Sequence, residues 1–160
     1  MLFLPFVLPI CVWVAYSDMS RMKIPNKAVI ALAVVFIVLG PFVMPSWNAY
    51  FWQIGQGVVV LIIGFLITQV RLVGAGDAKF AAAMAPYIAP QGAVFFILLF
   101  SVVLLLAFIL HRIARAIPAV RNATPNWESW THNKFPMGLA LSSSLAIYLC
   151  LGAYFALTAA

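Results

Sequence analysis

Apolar residues fall into six blocks divided by charged or Pro/Gly-rich interruptions: residues 2–16, 28–44, 54–70, 80–89, 93–110 and 135–157. A helix needs about 20 apolar residues to cross a bilayer, so a chain of this length has room for five or six crossings. Several blocks are shorter than a comfortable span. Their ends must draw on adjoining residues, or the bilayer must thin around them. The fourth is the shortest, with Pro86 and Pro90 at its far end.

Composition turns this pattern into a class. Of 160 residues, 66% are hydrophobic and only 8% are charged, nine Lys/Arg and three Asp/Glu. A soluble domain carries roughly 25% charged residues to cover its surface, and this chain has too few. An ordinary cytosolic fold, a disordered chain and a disulfide-stapled module are all excluded. The net charge of +6 does not point to nucleic acid, because the basic residues are scattered between apolar blocks. Cys11 and Cys150 both lie inside such blocks and no CxxC occurs, so neither a zinc ribbon nor a disulfide framework is expected. No Lys or Arg precedes Arg21, which marks the first block as a retained helix rather than a cleaved signal.

The charges also set a topology. Asp18, Arg21, Lys23 and Lys27 follow the first block. Arg71, Asp77 and Lys79 follow the third, and Arg112, Arg115, Arg121, Glu128 and Lys134 follow the fifth. The remaining connections and both ends hold no charged side chain. If the short fourth block crosses, every charge falls on one side, as the positive-inside rule requires. The expected fold is an all-α integral membrane bundle: six transmembrane helices, the fourth short, in a single domain spanning 1–160, with both termini outside. Trp47, Tyr50 and Trp52 read as an outer aromatic belt, and Trp127 and Trp130 as residues at the inner headgroups. Residues 111–134 read as a basic extension of the fifth helix followed by an irregular, membrane-hugging loop. Contact between that loop and a substrate is the alternative.

Chemistry requires polar groups, and few are present. A metal-dependent membrane protease needs a pattern such as HExxH, whereas His111 and His132 stand alone. Ser142, Ser143 and Ser144 lie in the sixth block without a nearby base and read as packing residues. Two carboxylates remain next to apolar blocks, Asp18 and Asp77. Ionisable groups at the mouth of a helix bundle are costly unless used. Asp77 could simply cap the fourth helix, and Asp18 could pair with Arg21 or Lys23. Both, however, fall on the same side of the membrane. Two aspartates brought together can share a proton, one acting as general base on water and the other as general acid on a carbonyl.

Asp77 ends the sequence Gly74-Ala75-Gly76-Asp77, whose glycines allow a sharp turn and close approach to a substrate strand. Asp18 is followed by Ile24-Pro25-Asn26, with Asn26 near the capping position of the second helix. Here the chain resembles the type IV prepilin peptidases, membrane aspartic proteases of the GxGD kind. The resemblance rests on Asp18 with Ile24, Pro25 and Asn26, and on Gly74, Gly76 and Asp77 with Lys79 and the Ala-rich stretch after it. Pro136-Met137-Gly138, at the opening of the last helix, adds to it.

What the resemblance implies is a catalytic pair, Asp18 and Asp77, cleaving prepilin leaders at the cytoplasmic face without metal or organic cofactor. The partners implied are a prepilin-like precursor and the lipid bilayer. Lacking CxxC motifs and the methyltransferase extension of bifunctional members, the chain is similar to the short, peptidase-only branch that serves tight-adherence (Flp-type) pili. Archaeal preflagellin peptidases are also short. A proton-coupled transporter using the two aspartates as a relay is the reading from another class, but both acids sit at segment ends beside basic loops rather than at mid-membrane.

The one-sided charges make the topology testable by impermeant thiol labelling, with Cys11 and Cys150 first replaced by alanine. Asn48→Cys should react from outside, and Asn122→Cys only after permeabilisation. Access to both from outside would overturn the six-helix arrangement.

Overall fold

The computed structural model describes residues 2–70, 73–132 and 134–158. Arg71 of the expected second basic segment lies outside them. Among the described residues the chain is all-α, with seven helices: α1 (Leu4–Arg21), α2 (Asn26–Val43), α3 (Trp47–Gln69), α4 (Ala75–Met84), α5 (Ala93–Ala116), α6 (Pro118–Ala123) and α7 (Met137–Thr158). Short 3-10 turns occupy Ala85–Tyr87, Pro90–Gly92 and Glu128–Trp130.

The six apolar blocks correspond to α1 to α5 and α7, and the additional helix, α6, comes from the polar stretch. Four helices are long and apolar enough to cross a membrane: α2, α3, α5 with its 3-10 lead-in, and α7. α1 ends in Asp18 and Arg21, and α4 has only 10 residues, so neither joins that set. α4 stops where Pro86 follows, since proline supplies no N–H to continue the helix.

α4 is the central element, in contact with α2, α3 and α7, while α1 packs chiefly on α7 and α5 covers the other side of α7. The core follows from this order. Val7, Cys11 and Val14 of α1 meet Leu32 and Phe36 of α2, Phe80 and Met84 of α4, and Leu141 and Leu145 of α7. Away from this centre the helices present Ile, Leu, Val and Phe outward, Ile62, Leu66 and Leu98 among them. That is the expected arrangement for a chain whose solvent is hydrocarbon. In lipid, burial of apolar surface gives little drive between helices, so close backbone approach must supply it. The α3–α4 seam does so through small residues. A Cβ on Gly57 would lie 2.9 Å from Pro86 and 3.2 Å from the Ala82 carbonyl, and one on Gly64 would lie 3.0 Å from the Ala78 Cβ.

Two aromatic expectations need correction. Trp47 and Trp52 are exposed, as a belt requires, but Tyr50 is buried. Its ring stacks on Phe36, and its hydroxyl donates to the Ile37 carbonyl at 3.1 Å. Trp130 is likewise buried rather than at the headgroups. It stacks on His111, and its indole N–H donates to Thr124. A ring that can satisfy its polar tip inside the protein need not seek the interface. The serines in α7 do act as packing residues: Ser142 and Ser144 are fully buried and donate to the Gly138 and Ala140 carbonyls one turn back, both at 2.7 Å.

The α3–α4 seam yields a paired test. Gly57→Ala should destabilise the detergent-solubilised protein by about 1–3 kcal/mol, because backbone and a proline ring would have to move. Gly55→Ala, which meets nothing within 4 Å, should be neutral or stabilise by up to about 1 kcal/mol. Equal effects in thermal unfolding would show that the seam does not depend on close approach.

Candidate active site

α1 ends in a left-handed residue, Met22 (φ 51°), whose N–H closes the helix on the Asp18 carbonyl. The chain then runs extended to Pro25, and the Ser17 hydroxyl donates to the Lys23 carbonyl at 2.9 Å to hold it there. α2 starts immediately, with Pro25 in the capping position and Asn26 as its first helical residue. Asn26 therefore does not cap. Its exposed side chain lines a cavity instead.

That cavity, about 950 Å³, brings Asp18 and Asp77 together with Lys23, Lys79, His132 and Lys134. Asp18 is buried, and instead of pairing with Arg21 or Lys23 its Oδ2 accepts from the Gly138 N–H at 2.6 Å. Gly138 is the second residue of α7. The carboxylate therefore sits on unpaired backbone donors at the positive end of that helix, where negative charge is favoured. Asp77 lies in the first turn of α4, three residues after Gly74, the N-cap.

Both acids lie outside the apolar blocks, and both are shifted upward. Burial raises Asp18 most, opposed by hydrogen bonds from the Gly138 and Leu139 N–H groups. Asp77 is pushed up to about 6, first by burial and then by the neighbouring Asp18 charge, with the Gly74 N–H pulling the other way. The mutual repulsion is the mark of a pair sharing one site.

The glycines serve differently from the expected sharp turn. Gly74 is an ordinary extended residue (φ −67°), but a Cβ there would lie 2.6 Å from Asp77 Oδ2. Its bareness makes room for the carboxylate of its own motif. Gly76 faces Ile24, with a would-be Cβ 3.5 Å from the Ile24 Cβ. Ile24 thus packs beside the GxGD turn, Pro25 sets the start of α2, and Lys79 stands exposed at the cavity wall.

The loop reaches the same place. Glu128–Trp130 packs on α1, and Trp127 meets Tyr16 edge-on at 6.0 Å. Arg115 donates to the His132 carbonyl, and the Lys134 N–H donates to His132 Nδ1. These contacts carry His132 and Lys134 to the cavity, so the loop is a wall of the site as well as a membrane-side connection. Sequence reasoning missed both residues, because a lone His and a lone Lys carry no spacing signal. It also missed the Gly138 N–H, for which Pro136-Met137-Gly138 was the available clue.

Among known proteins, a family model described as the type IV leader peptidase family matches residues 5–110. No curated protein and no solved structure matches the chain. The matched stretch runs from α1 through most of α5 and includes Asp18, Ile24-Pro25-Asn26 and the GxGD turn, while α7 and its Gly138 lie beyond it. By that match, over well more than half its length, the chain belongs to the type IV leader peptidase family, the aspartic-type prepilin peptidases.

Proposed function

We propose that this peptidase removes the leader from Flp-type prepilin precursors at the cytoplasmic membrane face, using Asp18 and Asp77 as its catalytic pair. The observation that carries this reading is the meeting of the two acids in one cavity, each against a different helix N-terminus. Asp18, held by backbone donors, is the ionised member; Asp77 keeps the proton. Water between them gives a proton to Asp18 as its oxygen attacks the scissile carbonyl carbon, and Asp77 protonates the carbonyl oxygen. When the C–N bond breaks, the amine takes the proton from Asp18, and Asp77 recovers its own from the collapsing diol.

In this reading α1 and the short α4 also cross, with the bilayer thinned around α4. The three charged segments are cytoplasmic and both termini outside, in one membrane-embedded domain. Six crossings bring Asp18 and Asp77 to the same face as the basic loops, which favours a protease over a transporter. Lys23, Lys79, His132 and Lys134 around the cavity supply positive charge where negative charge develops on the carbonyl oxygen.

Asp18→Asn and Asp77→Asn should each abolish leader cleavage in a gel-shift assay with a co-expressed prepilin, and the double variant should be no worse. Glu128, exposed on the loop, should tolerate Glu128→Gln within several-fold. Substantial cleavage by either Asn variant at normal abundance would remove that residue from the pair. A second outcome follows from the direction of the Asp77 shift. Its raised value means the shared proton is lost as pH rises, so kcat/KM should fall above about pH 6, approaching one decade per unit. A flat profile from pH 6 to 9 would exclude a monoprotonated pair.

A further inference from the structure

Ile24 lies against the mountings of both acids. On one side it lies against Gly76, the residue before Asp77, with 3.5 Å between its Cβ and a would-be glycine Cβ. On the other it lies against Gly138, whose N–H holds Asp18. A Cβ on Gly138 would come within 2.9 Å of Ile24 Cγ1, Ile24 Cδ1 and Asp18 Oδ2 alike. α4 and α7 are thus separated, at their first turns, by the width of one isoleucine.

We infer that Ile24 is a positioning residue that acts as a spacer, setting the gap between the α4 and α7 N-termini and so the separation of the Asp18 and Asp77 carboxylates. The inference rests on the two acids being the catalytic pair.

Three features suit Ile24 to this task. Its backbone is fixed on both sides, by the Ser17–Lys23 hydrogen bond before it and by Pro25, the cap of α2, after it. Its β-branched side chain has few rotamers, so it holds a width where a methionine would adapt. It is only partly buried and packs at the edge of the main core, so its shape bears more on the site than on global packing. Gly138 is then required by Ile24 as much as by Asp18, because a Cβ there would lie 2.9 Å from both, whereas one on Gly76 would only touch Ile24 at ordinary contact distance.

A spacer predicts more than lost stability. Shortening it should let the two helix ends close up and strengthen the repulsion that Asp18 exerts on Asp77, so that the proton on Asp77 becomes harder to lose. The other charged and titratable groups lining the cavity, Lys23, Lys79, His132 and Lys134, are unchanged by such a substitution. Any displacement of the alkaline limb therefore reports on the pair.

The test is a series at Ile24 in the full-length protein, assayed on a co-expressed or purified prepilin. Ile24→Ala should lower kcat by tenfold or more with KM within about threefold, and should move the alkaline limb about one unit toward higher pH. Ile24→Val should give a smaller change in the same direction, and it remains informative if the alanine variant accumulates poorly. Leu32→Ala, a fully buried core truncation away from the cavity, should lower the unfolding temperature without moving the limb. If Ile24→Ala and Ile24→Val keep the wild-type limb while both Asn variants are inactive, the spacer role is wrong and the pair stands. If an Asn variant cleaves, the pair itself falls, and the spacer with it.

Discussion

A carboxylate at the edge of a membrane protein must be held by something other than water. This chain has three acidic residues in all and holds two of them, Asp18 and Asp77, against helix N-termini, the cheapest source of positive potential a helical protein has. Asp18 takes its donors from α7 and Asp77 from the first turn of its own helix. Lysine partners would have neutralised the acids fully and fixed them as charges. Backbone N–H groups neutralise them in part, which leaves burial free to raise both acids and the Asp18 charge free to raise Asp77 further. The rest of the fold is arranged to keep those helix ends adjacent: α4 in the middle, α7 clasped between α1 and α5, and an isoleucine between the two mountings.

Much of this was legible in the sequence, for reasons of solvent. In hydrocarbon every backbone group must be bonded within its own helix, so the six apolar blocks had few alternatives to the six helices observed. Scarcity made Asp18 and Asp77 visible. A soluble protein with dozens of acids would have hidden them, whereas here only Glu128 competed. What escaped was whatever depends on where a ring or an N–H ends up. Tyr50 has the residue type and position of a belt residue, yet Gly40 opens a slot that takes its ring. Trp130 finds Thr124 within its own loop and His111 on the end of α5. The Gly138 donor is invisible in principle, because every residue but proline has one.

In the GxGD motif the expected sharp turn is not what the glycines supply. Its glycines were read as licences for an unusual turn, yet among the described residues no glycine has a positive φ. What matters at Gly74 is absent volume, which leaves room for the Asp77 carboxylate. Among the described residues the one left-handed residue is Met22, at the other motif, where it closes α1 on the Asp18 carbonyl. Strain and space have been assigned to opposite halves of the site.

The bond from Gly138 to Asp18 joins positions 120 residues apart. Asp18 is made with α1, but the N–H groups that settle its charge belong to α7, which follows α2 to α6 in the chain. Until α7 packs, the first aspartate has no mounting and α4 has no neighbour on that side. The setting of Asp18 therefore cannot form locally: it waits on the packing of α7 against α1, across every helix that lies between them in the chain.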